Sequence, residues 1–327
     1  REEVAPPSLR AGWRADFGAG AETYLDAQAR RARLGQFGAN ASIRSSLDSL
    51  QRCRGHVVVT AKGLKRKAGE LVAALTDVLP AVRLDERQRL RELLTQARAD
   101  LELSITDRGH QLAMHGAMRG LSPAGWLADE WDGPAHVLAI QALDDVASEA
   151  DDAVDDLLAR FARLHARLVA APAEVLLVGE DDALEMARSA LARLPRHASA
   201  PETLLDALPP TPAARGGAWF ANSDVNFCAK AYAAVPQGSP DAPALAVLAR
   251  FLTDGFLHPA VRERGGAYGG GASFHTDAGA FSFYSYRDPR LADTLADFDR
   301  ALDWLASSAA AAKDQLLEEA NPGVIPG

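Results

Sequence analysis

The sequence predicts an α+β protein in which largely antiparallel sheets are covered by helices. Helical periodicity dominates from the end of a β-like pair to about residue 170, and the later β-like runs form a hairpin flanked by helices. The 327 residues, of which 48% are hydrophobic, are enough for about two packed domains. We place the boundary near residue 170. Residues 1–170 then form a helix-rich domain with a β-hairpin, and residues 171–327 form an α+β domain.

The first domain is predicted from alternating and helical patterns. A helix over Ala21–Leu34 stops at Gly35, and β-like runs follow at Ala39–Leu47 and His56–Ala61. Asp85 and Gln88 have the spacing of a capping box, which predicts a helix start. Its apolar face would contain Leu90, Leu94, Ala97, Leu101 and Ile105. We expect breaks at residues 107–109 and 122–125, where glycine or proline occurs.

The second domain is predicted to open with a strand–helix unit, Glu174–Val178 followed by residues 181–194, and a proline-rich connection at 195–217. Another strand is expected at Asn226–Val235 and a helix at Asp241–Leu257, disturbed at Pro259. Alternation of Phe281 and Phe283 with polar residues predicts a half-buried strand at 280–286, paired with one at 272–276. Asp288-Pro289 favours a helix start, with Leu291, Leu295, Phe298, Leu302 and Leu305 on its buried face.

Charge and cysteine content exclude several function classes. The formal net charge of −9 argues against a nucleic-acid partner and against a polybasic membrane surface. No stretch of eighteen or more uncharged apolar residues occurs, so we predict no membrane partner. Cys53 and Cys228 are too few for a disulfide framework, which favours a reducing compartment such as the cytoplasm. The residues do not fix the location further.

Most of the chemically suggestive runs have a structural interpretation. The glycine-rich run 265–271 has its helix before it and its strand after it, the reverse of a phosphate-binding loop. His110 and His115 are five residues apart and so diverge around a helix, and no His-x-x-Glu-His or His-Glu-x-x-His occurs. We therefore predict no metal ligands in this chain. The acidic run 144–156 is typical of a solvated helix face.

Arg262 and Tyr268 are the one pair with catalytic potential. They flank the glycine-rich turn, and six extended residues would separate them by about 20 Å. A tight turn could bring both to one side of a groove. A guanidinium and a phenol are both suited to a carbonyl oxygen that becomes an oxyanion. An arginine near a helix end can also cap carbonyls, and a tyrosine beside glycine can simply pack.

Two signatures next to this pair, RERGGAYGG and SYRDPRL, give the chain a family resemblance. Together with VNFCAKAYAAVP, the region from Val225 to Trp304 resembles the final domain of the presequence-protease branch of the pitrilysin/insulinase metallopeptidases. Residues 89–133 resemble the helical region before that domain. The resemblance covers most of the chain beyond about residue 37.

The resemblance implies a concrete fold and function. Such enzymes have four related α+β domains in two halves that close around an unstructured peptide. Residues 1–170 would be a partial third domain, and residues 171–327 the fourth, truncated at its C-terminus. Tyr268 and Arg262 would stabilise the transition state, and Gly269 and Gly270 are the predicted substrate-binding positions. The partner would be the N-terminal catalytic half of the same polypeptide, which carries the zinc.

The departures limit what this chain can do by itself. The zinc motif is missing, and we expect both ends to be cuts in a longer polypeptide, so residues 1–327 alone are predicted to be inactive. The main interpretation is the non-zinc half of a zinc metalloendopeptidase that degrades unstructured peptides. The alternative is a non-catalytic homologue that binds peptides or partners through the same groove. An unrelated nucleotide-binding or scaffold protein is a third interpretation.

Overall fold

The structure is a computed structural model, and it describes Phe17, Gly20 and residues 23–78, 82–171, 173–191 and 216–307. Its helices are α1 Tyr24–Leu34, α2 Ala68–Val78, α3 Arg87–Met118, α4 Pro123–Asp132, α5 Pro134–Glu149, α6 Asp151–Ala170, α7 Asp181–Leu191, α8 Ala242–Leu252, a π-helix Thr253–Arg264 and α9 Ala292–Ala306. A short 3-10 helix spans Lys65–Lys67. The strands are β1 Gly35–Ser46, β2 Ser49–Gly63, β3 Ala229–Ala233, β4 Gly269–His275 and β5 Ala280–Tyr286.

The two sheets are small and antiparallel. β1 and β2 form a hairpin around Leu47 and Asp48, and the other sheet has the order β3-β5-β4. In the three-stranded sheet, Tyr232 lies opposite Phe281 and Gly269 opposite Tyr286. Helices outnumber these strands in the described residues and pack on them. The α+β prediction is therefore confirmed.

Contacts between residues divide the chain into two compact units. The described residues of the first unit fall within 1–42, 55–99 and 139–191, and those of the second within 43–54, 100–138 and 216–307. The predicted boundary near residue 170 stays a prediction. The core of the first unit contains Phe17, Leu90, Leu94, Val154, Leu157, Leu158 and Phe161.

In the first unit, the acidic residues of α5 and α6 lie opposite arginines of α3. Arg98 pairs with Asp145 at 2.6 Å, Arg91 pairs with Asp151, and Arg87 with Asp155 at 2.5 Å. Most of these side chains are exposed, as expected for a solvated helix face. Exposed pairs of this kind contribute little stability.

The second unit places helices on both faces of its sheet. Phe281 and Phe283 pack with Leu252, Leu257, Val261 and Phe298 from α8, the π-helix and α9. On the opposite face, Met114 and Met118 of α3 pack against Ala280. Ser282, which also faces α3, is fully buried. β5 is therefore covered on both sides, and the prediction of a half-buried strand was wrong because α3 covers the face expected to be solvated.

Two predicted helix breaks are wrong. α3 continues through residues 107–109, because Gly109 is needed there for close packing: a Cβ would lie 2.5 Å from the ring of Phe227. Pro259 also does not end its helix, since α8 passes directly into the π-helix, which contains this proline. The predicted break at residues 122–125 is confirmed, with Ser122 capping α4 and Pro123 at its first position.

Other element predictions need correction. The Glu174–Val178 run is extended but unpaired among the described residues, and Leu176 and Val178 are almost fully exposed. The strand predicted at Asn226–Val235 shortens to Ala229–Ala233, with an isolated bridge from Asn226 to Asp288. The helix α3 starts two residues after the expected cap Asp85. Residues 192–215, predicted mostly as a loop, lie outside the described residues.

The last predicted helix starts later than expected. α9 begins at Ala292 rather than after Asp288, because the backbone of Asp288 is already paired with Asn226 in both directions. The predicted face residues Leu291 and Leu302 are exposed, whereas Phe298 and Ala301 are fully buried.

The helical stretch Ala242–Arg264 is long and apolar enough to pass a length-and-composition test for a membrane span. Leu252, Leu257 and Val261 within it are buried in the core of the second unit. The core helix of a globular domain meets the same criteria, so this single match is weak evidence for a span.

Candidate functional site

The glycine-rich turn brings the backbones of Arg262 and Tyr268 close together. The Gly266 N–H donates to the Arg262 carbonyl at 2.9 Å, and the Ala267 N–H donates to the Val261 carbonyl at 3.2 Å. Peptide geometry then limits the distance between the Cα atoms of Arg262 and Tyr268 to about 11 Å, against about 20 Å for an extended chain. Gly266 makes the reversal possible with φ +81°, a conformation that other residues rarely adopt.

Arg262 lies in the last turn of the π-helix, with its side chain exposed. Its Nη1 lies 3.5 Å from Nε2 of His258, and Nδ1 of His258 lies 3.3 Å from the Glu263 carboxylate. The contact with His258 orients the guanidinium at its rim and leaves other donors of the fork available to a ligand. Turns of π-helix occur frequently at functional sites.

Tyr268 combines a fixed backbone with an exposed phenol. Its N–H donates to the Arg287 carbonyl at 3.3 Å, and its ring meets Tyr286 edge to face at 5.4 Å between centroids. The side chain is nevertheless 66% exposed. Tyr268 is therefore not a core residue, and its O–H is available to a solute.

The two predicted substrate-binding glycines differ in their surroundings. A Cβ on Gly269 would meet no atom within 4 Å, so the space beside it is open. A Cβ on Gly270 would lie 2.8 Å from Cγ1 of Val261 and 3.1 Å from the Tyr284 carbonyl oxygen. Gly270 is thus required for the packing of β4 on the π-helix. Substrate binding by these two residues stays a prediction.

Residues 286–297 hold the glycine-rich turn from behind, a role that the sequence analysis missed. Arg290 Nη2 lies against Gly265 and donates to the Ala260 carbonyl at 3.4 Å and to Asp297 at 3.0 Å. The buried Asp288 carboxylate accepts from the Arg290 N–H at 2.9 Å and from the Thr294 hydroxyl at 2.7 Å. The signal was present in the SYRDPRL signature, which we interpreted only as a helix start.

The residues that could bind a metal are scattered. In the part of the chain that the structure describes, no group of three His, Cys, Asp or Glu side chains could hold a metal ion. Cys53 and Cys228 are buried and not disulfide-bonded, and burial raises the pKa of both thiols. The described residues therefore do not fit a zinc site, and no chemical step is derived through a metal here.

Comparisons with known proteins match both parts of the chain. A peptidase-associated family, from the C subgroup of the M16 peptidases, matches residues 15–143. A family described as "PreP C-terminal domain" matches residues 218–323. Together they cover more than half of the chain.

Individual relatives agree with these matches. The chain is 30% identical over 280 residues to the mitochondrial presequence protease of Drosophila melanogaster, covering 82% of this chain and 26% of that protein. It is 48% identical over 83 residues to the mitochondrial presequence protease of Mus musculus, covering 25% of this chain and 8% of that protein. Presequence protease 1, chloroplastic/mitochondrial, of Arabidopsis thaliana is 26% identical over 253 residues, which is 76% of this chain and 23% of that protein.

The glycine-rich turn and its supporting segment both lie within residues 218–323, the part matched as a C-terminal domain. The chain spans about a quarter of the length of its Drosophila and Arabidopsis relatives. On these grounds the chain belongs to the presequence-protease family of M16 peptidases and corresponds to their C-terminal region.

Proposed function

We propose that this chain is the non-zinc half of a chambered zinc metalloendopeptidase that degrades unstructured peptides. The observation that carries the proposal is the position of Arg262 and Tyr268. One tight turn holds their backbones within about 11 Å, and both side chains are exposed rather than used in the core.

The two side chains would act on the scissile peptide. When water adds to the carbonyl carbon, its oxygen becomes an oxyanion that needs hydrogen-bond donors. The Tyr268 hydroxyl donates one hydrogen bond to that oxygen. The planar guanidinium of Arg262 holds neighbouring carbonyls of the substrate and adds positive charge. Donors fixed before the reaction stabilise the transition state with little reorganisation.

The nucleophile would come from another part of the polypeptide. The described residues offer no metal cluster, so we assign the zinc and its ligands to the N-terminal catalytic half of the same protein. The substrate would lie between the two halves, next to Gly269, where the structure leaves open space. Residues 1–327 alone are then inactive, and zinc-stimulated, chelator-sensitive cleavage by this purified chain would contradict that assignment.

The experiment measures cleavage of an unstructured fluorogenic peptide by the full-length protein that carries this region, with bound zinc determined for each variant. Tyr268→Phe removes one oxyanion donor, and we expect kcat to fall about a hundredfold or more at unchanged zinc content. Arg262→Lys keeps the charge but loses the planar fork, so we expect a marked loss as well.

Matched controls come from the same domain. Tyr232→Phe removes a phenol that contacts Asp299 instead, and Arg264→Lys changes an exposed neighbour in the same helical turn. Both should leave kcat unchanged. Equal rates for Tyr268→Phe and wild type would limit Tyr268 to packing. A zinc-free, inactive wild type that still binds the peptide would favour the non-catalytic peptide-binding homologue.

A further inference from the structure

Among the described residues, the ring in aromatic contact with Tyr268 is that of Tyr286, which is itself firmly held. The two rings meet at 86° with centroids 5.4 Å apart, the edge-to-face geometry that aromatic pairs prefer. Gly269 lies directly opposite Tyr286 in the β4–β5 ladder, so Tyr286 also fixes the strand that follows Tyr268.

Side chains from three further segments pack on the ring of Tyr286. His110 of α3 lies edge to face at 4.8 Å, Phe227 is tilted at 5.9 Å, and the Arg287 guanidinium lies 5.3 Å from the ring centre. Burial, and to a lesser degree the charge of Arg108, lowers the pKa of His110. The histidine is therefore a neutral ring against Tyr286 near pH 7.

Helix α3 accommodates this cluster through Gly109, the residue before His110. The absence of a Cβ there lets the Phe227 ring lie directly on the helix. This packing explains why the helix contains a glycine at this point without a break. The cluster of His110, Phe227 and Tyr286 is thus fixed to α3, at the side of the sheet opposite the hydrophobic core of α8 and α9.

The backbone next to Tyr286 is strained. Arg287, at φ +49°, is the only non-glycine residue with a positive φ in the part of the chain that the structure describes. Its carbonyl accepts the N–H of Tyr268, and its side chain reaches the Thr106 carbonyl at 3.3 Å and Asp107 at 2.9 Å. Strained backbone that the surroundings hold in place is concentrated at functional sites.

We propose that Tyr286 is a positioning residue for Tyr268, and that the left-handed backbone of Arg287 sets the height of the Tyr268 main chain. The proposal rests on the proposed function of Tyr268. Tyr286 touches no substrate. It restricts the Tyr268 ring from one side and leaves the hydroxyl end free, so the phenol is already aimed when a peptide arrives.

The kinetic test uses the full-length protein and three variants. Tyr286→Leu removes the ring, and we expect kcat to fall about tenfold or more while KM changes less than about twofold, because small misplacements at a reacting centre are costly. Tyr286→Phe keeps the ring and should restore most of the lost rate. Tyr232→Leu removes a comparable edge-to-face contact, with Phe283 at 6.1 Å, and should leave kcat unchanged at a similar loss of stability.

A second measurement does not depend on catalysis. The chain contains five tyrosines, so 3-fluorotyrosine can be incorporated and each ¹⁹F resonance assigned by single Tyr→Phe changes. Tyr286→Leu should shift and sharpen the Tyr268 resonance, since the ring loses its neighbour and gains freedom. Tyr232→Leu should leave that resonance unchanged.

The outcomes separate this proposal from the proposed function. An unchanged Tyr268 resonance in Tyr286→Leu overturns the positioning role, whatever the activity. A shifted resonance with wild-type kcat overturns it as well when Tyr268→Phe is inactive. If Tyr268→Phe is fully active, the proposed function fails first, and the positioning role fails with it. A shifted resonance, a kcat loss and rescue by phenylalanine support it.

Discussion

The guanidinium of Arg290 occupies the space that a side chain at Gly265 would need. A Cβ on Gly265 would overlap Arg290 Nη2 and the Val261 carbonyl oxygen. This contact joins the RERGGAYGG and SYRDPRL signatures, which are separated by more than a dozen residues, into one structural unit. The Tyr268–Tyr286 contact and the Tyr268–Arg287 hydrogen bond join them at two further points.

We therefore expect Gly265→Ala to destabilise the protein by about 1–3 kcal/mol, as overpacking a closed site does. The free energy of unfolding from urea titration measures the effect. Gly269→Ala is the matched control for stability, since its Cβ would enter open space. Equal stability of the two variants would show that the Arg290 contact adapts without cost.

Gly109 and Gly69 are both helical, and we expect opposite effects when each is replaced by alanine. At Gly69 of α2 the nearest atom to a Cβ is 3.9 Å away, so Gly69→Ala should stabilise by about 0.5–1 kcal/mol through helix propensity. At Gly109 the Phe227 ring is 2.5 Å away, so Gly109→Ala should destabilise by about 1–3 kcal/mol. Thermal unfolding followed by circular dichroism measures both. A stabilising Gly109→Ala would contradict the proposed packing.

His275 should make stability depend on pH between about 4 and 6.5. Burial lowers its pKa to about 4, and the nearby His115 adds to the shift. Between the two pKa values the unfolded chain binds a proton that the folded chain does not, so stability falls as pH falls, by up to about 3 kcal/mol. His275→Gln should flatten this part of the stability curve.

The control for this pH effect is His56→Gln, which changes an exposed histidine and should leave the curve as in wild type. Paired carboxylates such as Asp151 and Asp299 have pKa values lowered below 3.8, so their loss begins at more acidic pH. An unaltered slope between pH 4 and 6.5 in His275→Gln would contradict the prediction.

Arg119 neutralises a buried carboxylate. Asp129 is 2% exposed and pairs with Arg119, which also holds Glu130 at 2.6 Å. Removing one partner of a buried pair leaves an uncompensated charge, so Arg119→Ala should destabilise by about 3 kcal/mol. Arg87→Ala breaks the exposed pair with Asp155 and should cost no more than about 1 kcal/mol. Chemical denaturation measures both, and similar losses would contradict the distinction.

Local chemistry made part of the fold predictable. Gly35 ends α1, Ser122-Pro123 starts α4, and β5 occupies residues 280–286 as its alternation predicts. Each of these depends on a residue's own backbone preference or on its near neighbours. Arg262 and Tyr268 were found for the same reason, since a glycine-rich turn between a helix and a strand is a local feature.

The errors arise where distant residues decide the conformation. Gly109 stays helical because Phe227, more than a hundred residues away, fills the space beside it. Asp288 does not cap a helix because Asn226 occupies its backbone groups. Glu174–Val178 lacks a ladder among the described residues, since a strand requires a partner that its own sequence does not supply.

The sequence by itself determined the α+β class, the turn at 265–268 and the chemical character of the two candidate residues. Only the tertiary structure decided how that turn is held, by Arg290 against Gly265 and by Tyr286 against Tyr268. The physical reason is range. Backbone preferences and periodicity act within a few residues, whereas close packing and ion pairing depend on which segments the folded chain brings together.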